Sequence, residues 1–184
     1  MKLSVEDLQT LRQGVLSSLS KVPIFDSNGI ERNQYLNSHM LLSEAEVLKL
    51  CADILSTPVK HMEVDGLVGL ALGGCSLAGV MCALTASSKK PLFSAMYRDR
   101  AKSYGYQGML SRPIEPGLRI CVVDDVISTG TSAKNAIEYL RDKKIDVPGV
   151  VSVVRRGNEG VTALKEAGVS VETLIDIYDV IEKK

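Results

Sequence analysis

The sequence predicts an α/β fold, a parallel β-sheet with helices on both of its faces. Three observations lead there. Short apolar runs at residues 66–71, 91–97, 118–123, 150–154 and 171–177 are separated by segments with helical apolar spacing, so strand and helix alternate along the chain. Aromatics are scarce, with six Tyr, two Phe and no Trp, so the core must be aliphatic. The length of 184 residues, with 45% hydrophobic and 24% charged, suits one domain over 1–184 that buries a sizeable core.

The first forty residues stand before this alternation. Ser4 and Asp7 form a capping pair, and Leu8, Leu11, Val15 and Leu19 recur at helical spacing, which predicts an amphipathic first helix. Pro23, Asn28 and Gly29 mark turns around a short hairpin at Ile24 and Tyr35. Ser43 and Glu46 read as a capping box that opens a second helix, with Val47, Leu48, Leu50, Cys51, Ile54 and Leu55 on its buried side and Pro58 as its stop.

The alternating part follows. Residues 66–71 form a strand, Gly73 and Gly74 a turn, and 76–87 a helix of small residues. The stretch 66–88 carries no charge and is as long as a membrane span, but Gly66, Gly69, Gly73, Gly74 and Gly79 divide it, so a buried strand, loop and helix is the better reading. After a strand at 91–97, residues 98–116 carry Gly, Ser and charged side chains without apolar periodicity and read as a mobile loop. Residues 118–123 give the strongest strand signal. A helix at 131–140, a strand at 150–154, a helix at 160–166 and a last strand at 171–177 complete the chain, with no internal repeat, low-complexity tract or linker.

Composition narrows the function. Lys plus Arg and Asp plus Glu stand at 22 each, a zero net charge that argues against coating a nucleic acid or an acidic membrane, so any phosphate binding must be local. The scarcity of aromatics argues against stacking-based readers of single strands. Cys51, Cys75, Cys82 and Cys121 form no CxxC pair, and His39 and His61 are isolated, so neither a zinc site nor a disulfide framework is expected and the thiols read as buried and reduced. The N-terminal residues include early acids and no apolar core of secretory length, so the expected location is the cytoplasm.

One segment carries chemistry. Arg119-Ile120-Cys121-Val122-Val123-Asp124-Asp125-Val126-Ile127-Ser128-Thr129-Gly130-Thr131-Ser132 joins a buried strand to two acids and then to a hydroxyl-rich turn that opens a helix. Ligands bind at the carboxyl ends of strands in open α/β sheets, so Asp124 and Asp125 would face a crevice. Ser128, Thr129, Thr131 and Ser132 supply hydroxyls, Gly130 permits close backbone approach, and a helix N-terminus favours an anion. The pattern is a phosphate cradle beside paired carboxylates. A strand end capped by Asp and Ser would explain one acid but not the whole constellation, and the nucleotide-binding GxxxxGK[ST] and GxGxxG patterns are missing from the sequence.

This run resembles the phosphoribosyl pyrophosphate (PRPP) signature of the type I phosphoribosyltransferases. The resemblance implies that Asp124 and Asp125 hold the ribose hydroxyls, that 128–132 hold the 5-phosphate, and that Mg2+ lies nearby, bound mainly by substrate oxygens and water. Within that fold the chain is most similar to orotate phosphoribosyltransferases. Arg98, Lys102 and Gly105 match their loop, with Asp99 in place of a Lys and Tyr104 in place of a His. The segment around Gly73 and Gly74 is similar to the loop that contacts pyrophosphate, with Gly73 replacing a customary Lys. Arg156 matches the Arg that grips the orotate carboxylate, while Arg155 takes a usual Asp position. Residues 28–37 look like a reduced form of a base-covering hood that retains Tyr35, which makes 1–40 a region of N-terminal helix and hood.

The resemblance implies transfer of ribose 5-phosphate from PRPP to orotate, with Asp124 and Asp125 on the ribose and metal side and Arg98, Arg100 and Lys102 on the pyrophosphate. It also implies a homodimer in which Lys102 reaches the neighbouring site. Residues 89–102 hold Lys89, Lys90, Arg98, Arg100 and Lys102 against Asp99, a local surplus of four that reads as a patch opposed to the acid pair. Two other functions fit the departures: a transferase of the same fold for a purine or uracil, and a non-catalytic PRPP-binding regulator.

Overall fold

A computed structural model describes residues 4–20, 22, 24–25, 31–32, 35–102 and 107–181. Its centre is a six-stranded sheet of β3 (Gly66–Leu70), β4 (Phe93–Lys102), β5 (Gly108–Leu110), β6 (Arg119–Ile127), β7 (Asp146–Arg155) and β8 (Ser170–Asp176), in the order β5-β4-β3-β6-β7-β8. All neighbours are parallel except β4 and β5. The chain leaves β3 toward β4 on one side and returns as β6 on the other, so the strand order reverses between β3 and β6. A crevice opens at such a reversal, outside the carboxyl ends of the two strands.

Alternation along the central strands assigns the helices to faces. Leu67, Cys121 and Val123 pack with α1 (Val5–Ser17), α2 (Ser38–Ser43), α3 (Ala45–His61), α4 (Ala71–Ala83) and α7 (Ile177–Ile181). Val68, Ile120 and Val122 pack with α5 (Thr131–Asp142) and α6 (Glu159–Glu166). Both cores are aliphatic, as the sequence requires, and among the described residues no buried side-chain nitrogen or oxygen lacks a hydrogen-bond partner.

The N-terminal capping box is present: Asp7 N–H donates to Ser4 Oγ at 3.0 Å, and Ser4 N–H donates to Asp7 Oδ2 at 3.1 Å. A hairpin forms, of β1 (Ile24–Phe25) and β2 (Glu31–Arg32), but Ile24 pairs with Arg32, and the Tyr35 carbonyl instead accepts from Ser20 N–H at 2.7 Å. Pro23, Asn28 and Gly29 lie outside the described residues.

Four sequence expectations are corrected. Ser43 closes the short α2, with its hydroxyl donated to the Met40 carbonyl, and α3 starts at Ala45 with no side-chain cap. Pro58 lies inside α3, which runs on to His61 because Val59, 2% exposed, continues the buried face of Leu55. Residues 98–102 and 108–110 are strands: the former prolong β4 and the latter, as β5, run antiparallel against it, held by backbone pairing that needs no apolar periodicity. Gly73 and Gly74 form no turn, since β3 passes directly into α4 at Ala71.

The reason for those glycines is close approach. A Cβ at Gly74 would stand 2.4 Å from the Val123 carbonyl oxygen, and one at Gly69 would stand 2.6 Å from both Cys75 Cα and the Gly74 carbonyl oxygen. Helix α4 therefore lies backbone to backbone on β3 and β6. Gly79, in the same helix, has nothing within 4 Å of its would-be Cβ and is exposed.

The two kinds of glycine should respond oppositely to a methyl group. Gly74→Ala must push α4 off β6, and its melting temperature should fall by about 3–10 °C. Gly79→Ala only removes backbone entropy from the unfolded chain, and should raise it by ~1–3 °C. Thermal unfolding followed by circular dichroism checks both signs.

Candidate active site

Helix α4 and strand β6 between them place the two acids. Both Asp124 and Asp125 are buried, at 7% and 8% exposure, and lie within β6 rather than after it, because the strand extends to Ile127. They line a cavity of about 350 Å3 at the carboxyl ends of β3 and β6, together with Leu70, Ala71, Tyr97, Met109, Val126, Ser132 and Asn135. This is the crevice that the strand-order reversal opens.

The carboxylates are held by backbone donors. Asp125 N–H donates to Asp124 Oδ1 at 3.0 Å, and Val126 N–H donates to Asp125 Oδ1 at 3.1 Å. The fully buried Ser152 hydroxyl, on β7, donates to the Asp125 carbonyl at 3.1 Å. No Lys or Arg among the described residues pairs with either acid. Burial, and then the neighbouring Asp125 carboxyl, push the Asp124 carboxyl from its ordinary 3.8 up to about 8. Two uncompensated acids in one crevice suit a partner that brings hydroxyls or positive charge.

The hydroxyl-rich turn lies at the same sheet edge. Gly130 takes φ of 78°, a left-handed conformation that suits glycine, and serves as the N-cap of α5. Ser128, Thr129, Thr131 and Ser132 are exposed, and the Thr129 and Thr131 hydroxyls are 2.9 Å apart. The N-cap Gly130 brings no side chain to α5, and of the first N–H groups Thr131 N–H donates to Thr129 Oγ1 at 3.4 Å, so the remaining donors of the turn and these exposed hydroxyls could receive an anion.

On the opposite side of the crevice, Ala71 carries φ of 49° at the junction of β3 and α4. A left-handed alanine costs roughly 1–2 kcal/mol, strain of the kind that concentrates at functional sites.

The basic residues divide. Leu70 pairs with Tyr97, so Arg98, Arg100 and Lys102 lie on β4 beyond the end of β3, on the crevice side of the sheet. Arg98 is partly buried and donates to the carbonyls of Gly108 at 3.3 Å and Leu110 at 2.9 Å, clasping β5 to β4, while Arg100 is exposed. Ser103, Tyr104 and Gly105 lie outside the described residues, as do the side chains of Asp99 and Lys102. Lys90, by contrast, is at the other end of β4, 2.6 Å from Asp65, so the patch read from residues 89–102 does not gather at the crevice. Arg156 prolongs the ladder at the end of β7, its N–H donating to the Ile127 carbonyl at 2.8 Å. Arg155 is engaged by Asp176 at 3.2 Å and Asn158 at 2.6 Å.

Several contributors went unnoticed in the sequence. A Cβ at Gly160 would stand 2.3 Å from the Ser128 carbonyl oxygen and 2.8 Å from Gly130 N, so the start of α6 supports the cradle from below by backbone contact. Tyr97 and Tyr139 pack edge to face at 5.6 Å beside the cavity. Ser152 belongs to no motif, Gly160 closes the 153–160 run that is similar to the loop over the base without a role of its own in it, and only the fold brings both to the cradle and the acids. The cysteines are free, and burial pushes the Cys51 and Cys121 thiols up to about 12, consistent with inert interior groups, while Cys75 and Cys82 are half-buried. No helix among the described residues is long and apolar enough to cross a membrane.

No family model matches the chain. It is 34% identical over 158 residues to the orotate phosphoribosyltransferase of Pyrobaculum aerophilum, spanning 85% of this chain and 79% of that protein. It is 28% identical over 155 residues to the orotate phosphoribosyltransferase of Synechocystis, spanning 84% and 78%. Its fold is similar to that of Mycobacterium tuberculosis orotate phosphoribosyltransferase, at a TM-score of 0.80 and 23% identity over 95% of this chain and 98% of that one. The same mycobacterial protein has been solved in complex with PRPP, at a TM-score of 0.75 and 22% identity over 95% and 98%. The extent of the Pyrobaculum match, together with the acid pair and the cradle at one sheet edge, shows that this chain belongs to the orotate phosphoribosyltransferase family.

Proposed function

We propose that the chain, as a single catalytic unit, transfers ribose 5-phosphate from PRPP to orotate, forming orotidine 5-phosphate and releasing pyrophosphate. The observation that carries this reading is the buried, unpaired Asp124–Asp125 couple beside the 128–132 cradle, in a member of this family. As the bond to pyrophosphate breaks, positive charge grows on the ribose ring and negative charge on the leaving group. Asp124 and Asp125 receive the ribose hydroxyls and stabilise the ring, and the cradle anchors the 5-phosphate so that the ring is presented to the base. The end of β4 that carries Arg98, Arg100 and Lys102 lies on the crevice side and supplies positive charge for the pyrophosphate, the segment of α4 around Gly73 and Gly74 is assigned to the same group through the family resemblance, and Arg156 meets the carboxylate of orotate.

Mg2+ fits the donor set in a limited way. No group of three or more His, Cys, Asp or Glu among the described residues can hold a metal ion, whereas the two carboxylates supply hard oxygens, so substrate oxygens and water complete its shell. When bound, it neutralises charge on the leaving group. A cytoplasmic homodimer, with Lys102 reaching the neighbouring subunit's site, belongs to the same proposal through the family resemblance. The departures at Gly73, Asp99, Tyr104 and Arg155 favour, as a second reading, a different base with the same chemistry.

Incubation with PRPP and magnesium should consume orotate, followed by its absorbance, faster than uracil, adenine or hypoxanthine. Preference for another base transfers the assignment to that base, and no turnover of any base refutes it. Asp125→Asn should lower kcat by at least about tenfold while the protein stays folded.

Asp124 makes a prediction of opposite sign for stability. Its carboxyl ionises near 3.8 when unfolded and near 8 when folded, so between these values the folded chain keeps a proton that the unfolded chain has released, and stability falls as pH rises. Without ligand, the melting temperature of Asp124→Asn should therefore gain on that of the parent from pH 4 to pH 8 and level off above. A constant difference across that range would remove the charge argument.

A further inference from the structure

Position 73 has no room for a side chain. A Cβ there would stand 2.3 Å from Oδ2, 2.6 Å from Cγ and 2.7 Å from Cβ of Asp125. The side chain of Asp125 thus fills the volume that a side chain at 73 would need. Neither partner is free to retreat. Asp125 is tied through its carboxylate to Val126 N–H, through its own N–H to Asp124, and through its carbonyl to the Ser152 hydroxyl. Helix α4 is tied by Gly74, whose Cα faces the Val123 carbonyl too closely for any Cβ. The carboxylate consequently lies against the first turn of α4, where backbone N–H groups without helical partners favour a negative charge.

We propose that Gly73 is a positioning residue: by lacking a side chain it admits the Asp125 carboxylate to the first turn of α4 and so sets where the acid meets the ribose of the substrate. The inference rests on the reading of Asp125 as a ribose-binding group. It differs from a role for Gly73 in touching pyrophosphate, because the residue acts through Asp125.

A double-mutant cycle between Gly73→Ala and Asp125→Ala tests it, read by PRPP affinity in calorimetry with magnesium, by melting temperature, and by kcat and KM. Gly73→Ala alone should weaken PRPP binding at least about fivefold and lower kcat at least about tenfold. In the Asp125→Ala background, where the obstructing carboxylate is gone, the same change should alter PRPP affinity less than about twofold and leave the melting temperature equal or higher, since alanine is the better helix former. Gly73→Lys should lose activity as Gly73→Ala does. Equal losses in both backgrounds would overturn the proposal, as would a gain from Gly73→Lys. If Gly73→Ala fails to fold but the double variant folds, the steric conflict is upheld, and if both fail it is refuted. Should the parent turn over no base, the functional reading falls, while affinity and melting temperature still decide the role of Gly73.

Discussion

The structure depends on the distance between helix α4 and the two strands beneath it. Two glycines remove the side chains that would hold the backbones apart, Gly69 on the strand and Gly74 on the helix, and a third, Gly73, leaves room for the side chain of Asp125. Close packing has two effects that belong to different levels. It seals the aliphatic core on that face, where Leu77, Ala78 and Met81 are buried. It also leaves no space for a loop between β3 and α4, so the turn is made at Ala71 in a strained conformation that opens directly on the crevice. The same contact then confines Asp125 to one place. Core packing and site geometry are set by one interaction.

That interaction was the least readable part of the sequence. Gly73-Gly74 signals a turn by local rules, since glycine is a poor helix former, and only the neighbouring backbone of β6 explains why a helix carries both. The acid pair and cradle were legible because each component has a local chemical meaning: an apolar strand, two carboxylates, and hydroxyls at a helix start. The parallel sheet was legible for a similar reason, since runs such as Leu118–Val123 are apolar without interruption. Strand bounds were not, because β4 continues through Arg98 and Arg100 by backbone pairing alone.

Linear charge counts misled for a geometric reason. A strand advances roughly 3.3 Å per residue, so the ten residues of β4 put Lys90 and Lys102 at opposite ends of a strand about 30 Å long. Lys90 instead joins Asp65 near Arg119 and Asp146, a surface cluster at the end of the sheet remote from the crevice. Exposed pairs of this kind contribute little, ~0–1 kcal/mol each, and their importance is in keeping that edge satisfied and polar.

The contact of Gly160 with Ser128 and Gly130 has a mechanical consequence. The segment from the end of β7 to the start of α6 carries Arg155, Arg156 and Asn158, and it ends against the backbone of the phosphate cradle with no side chain between. Two regions that the proposed function gives to opposite ends of a nucleotide thereby touch through backbone, with no compliant side-chain layer between them. A shift of the arginine-bearing segment would press directly on the 128–132 turn, so under the proposed function the grip on the base and the grip on the phosphate would be altered together.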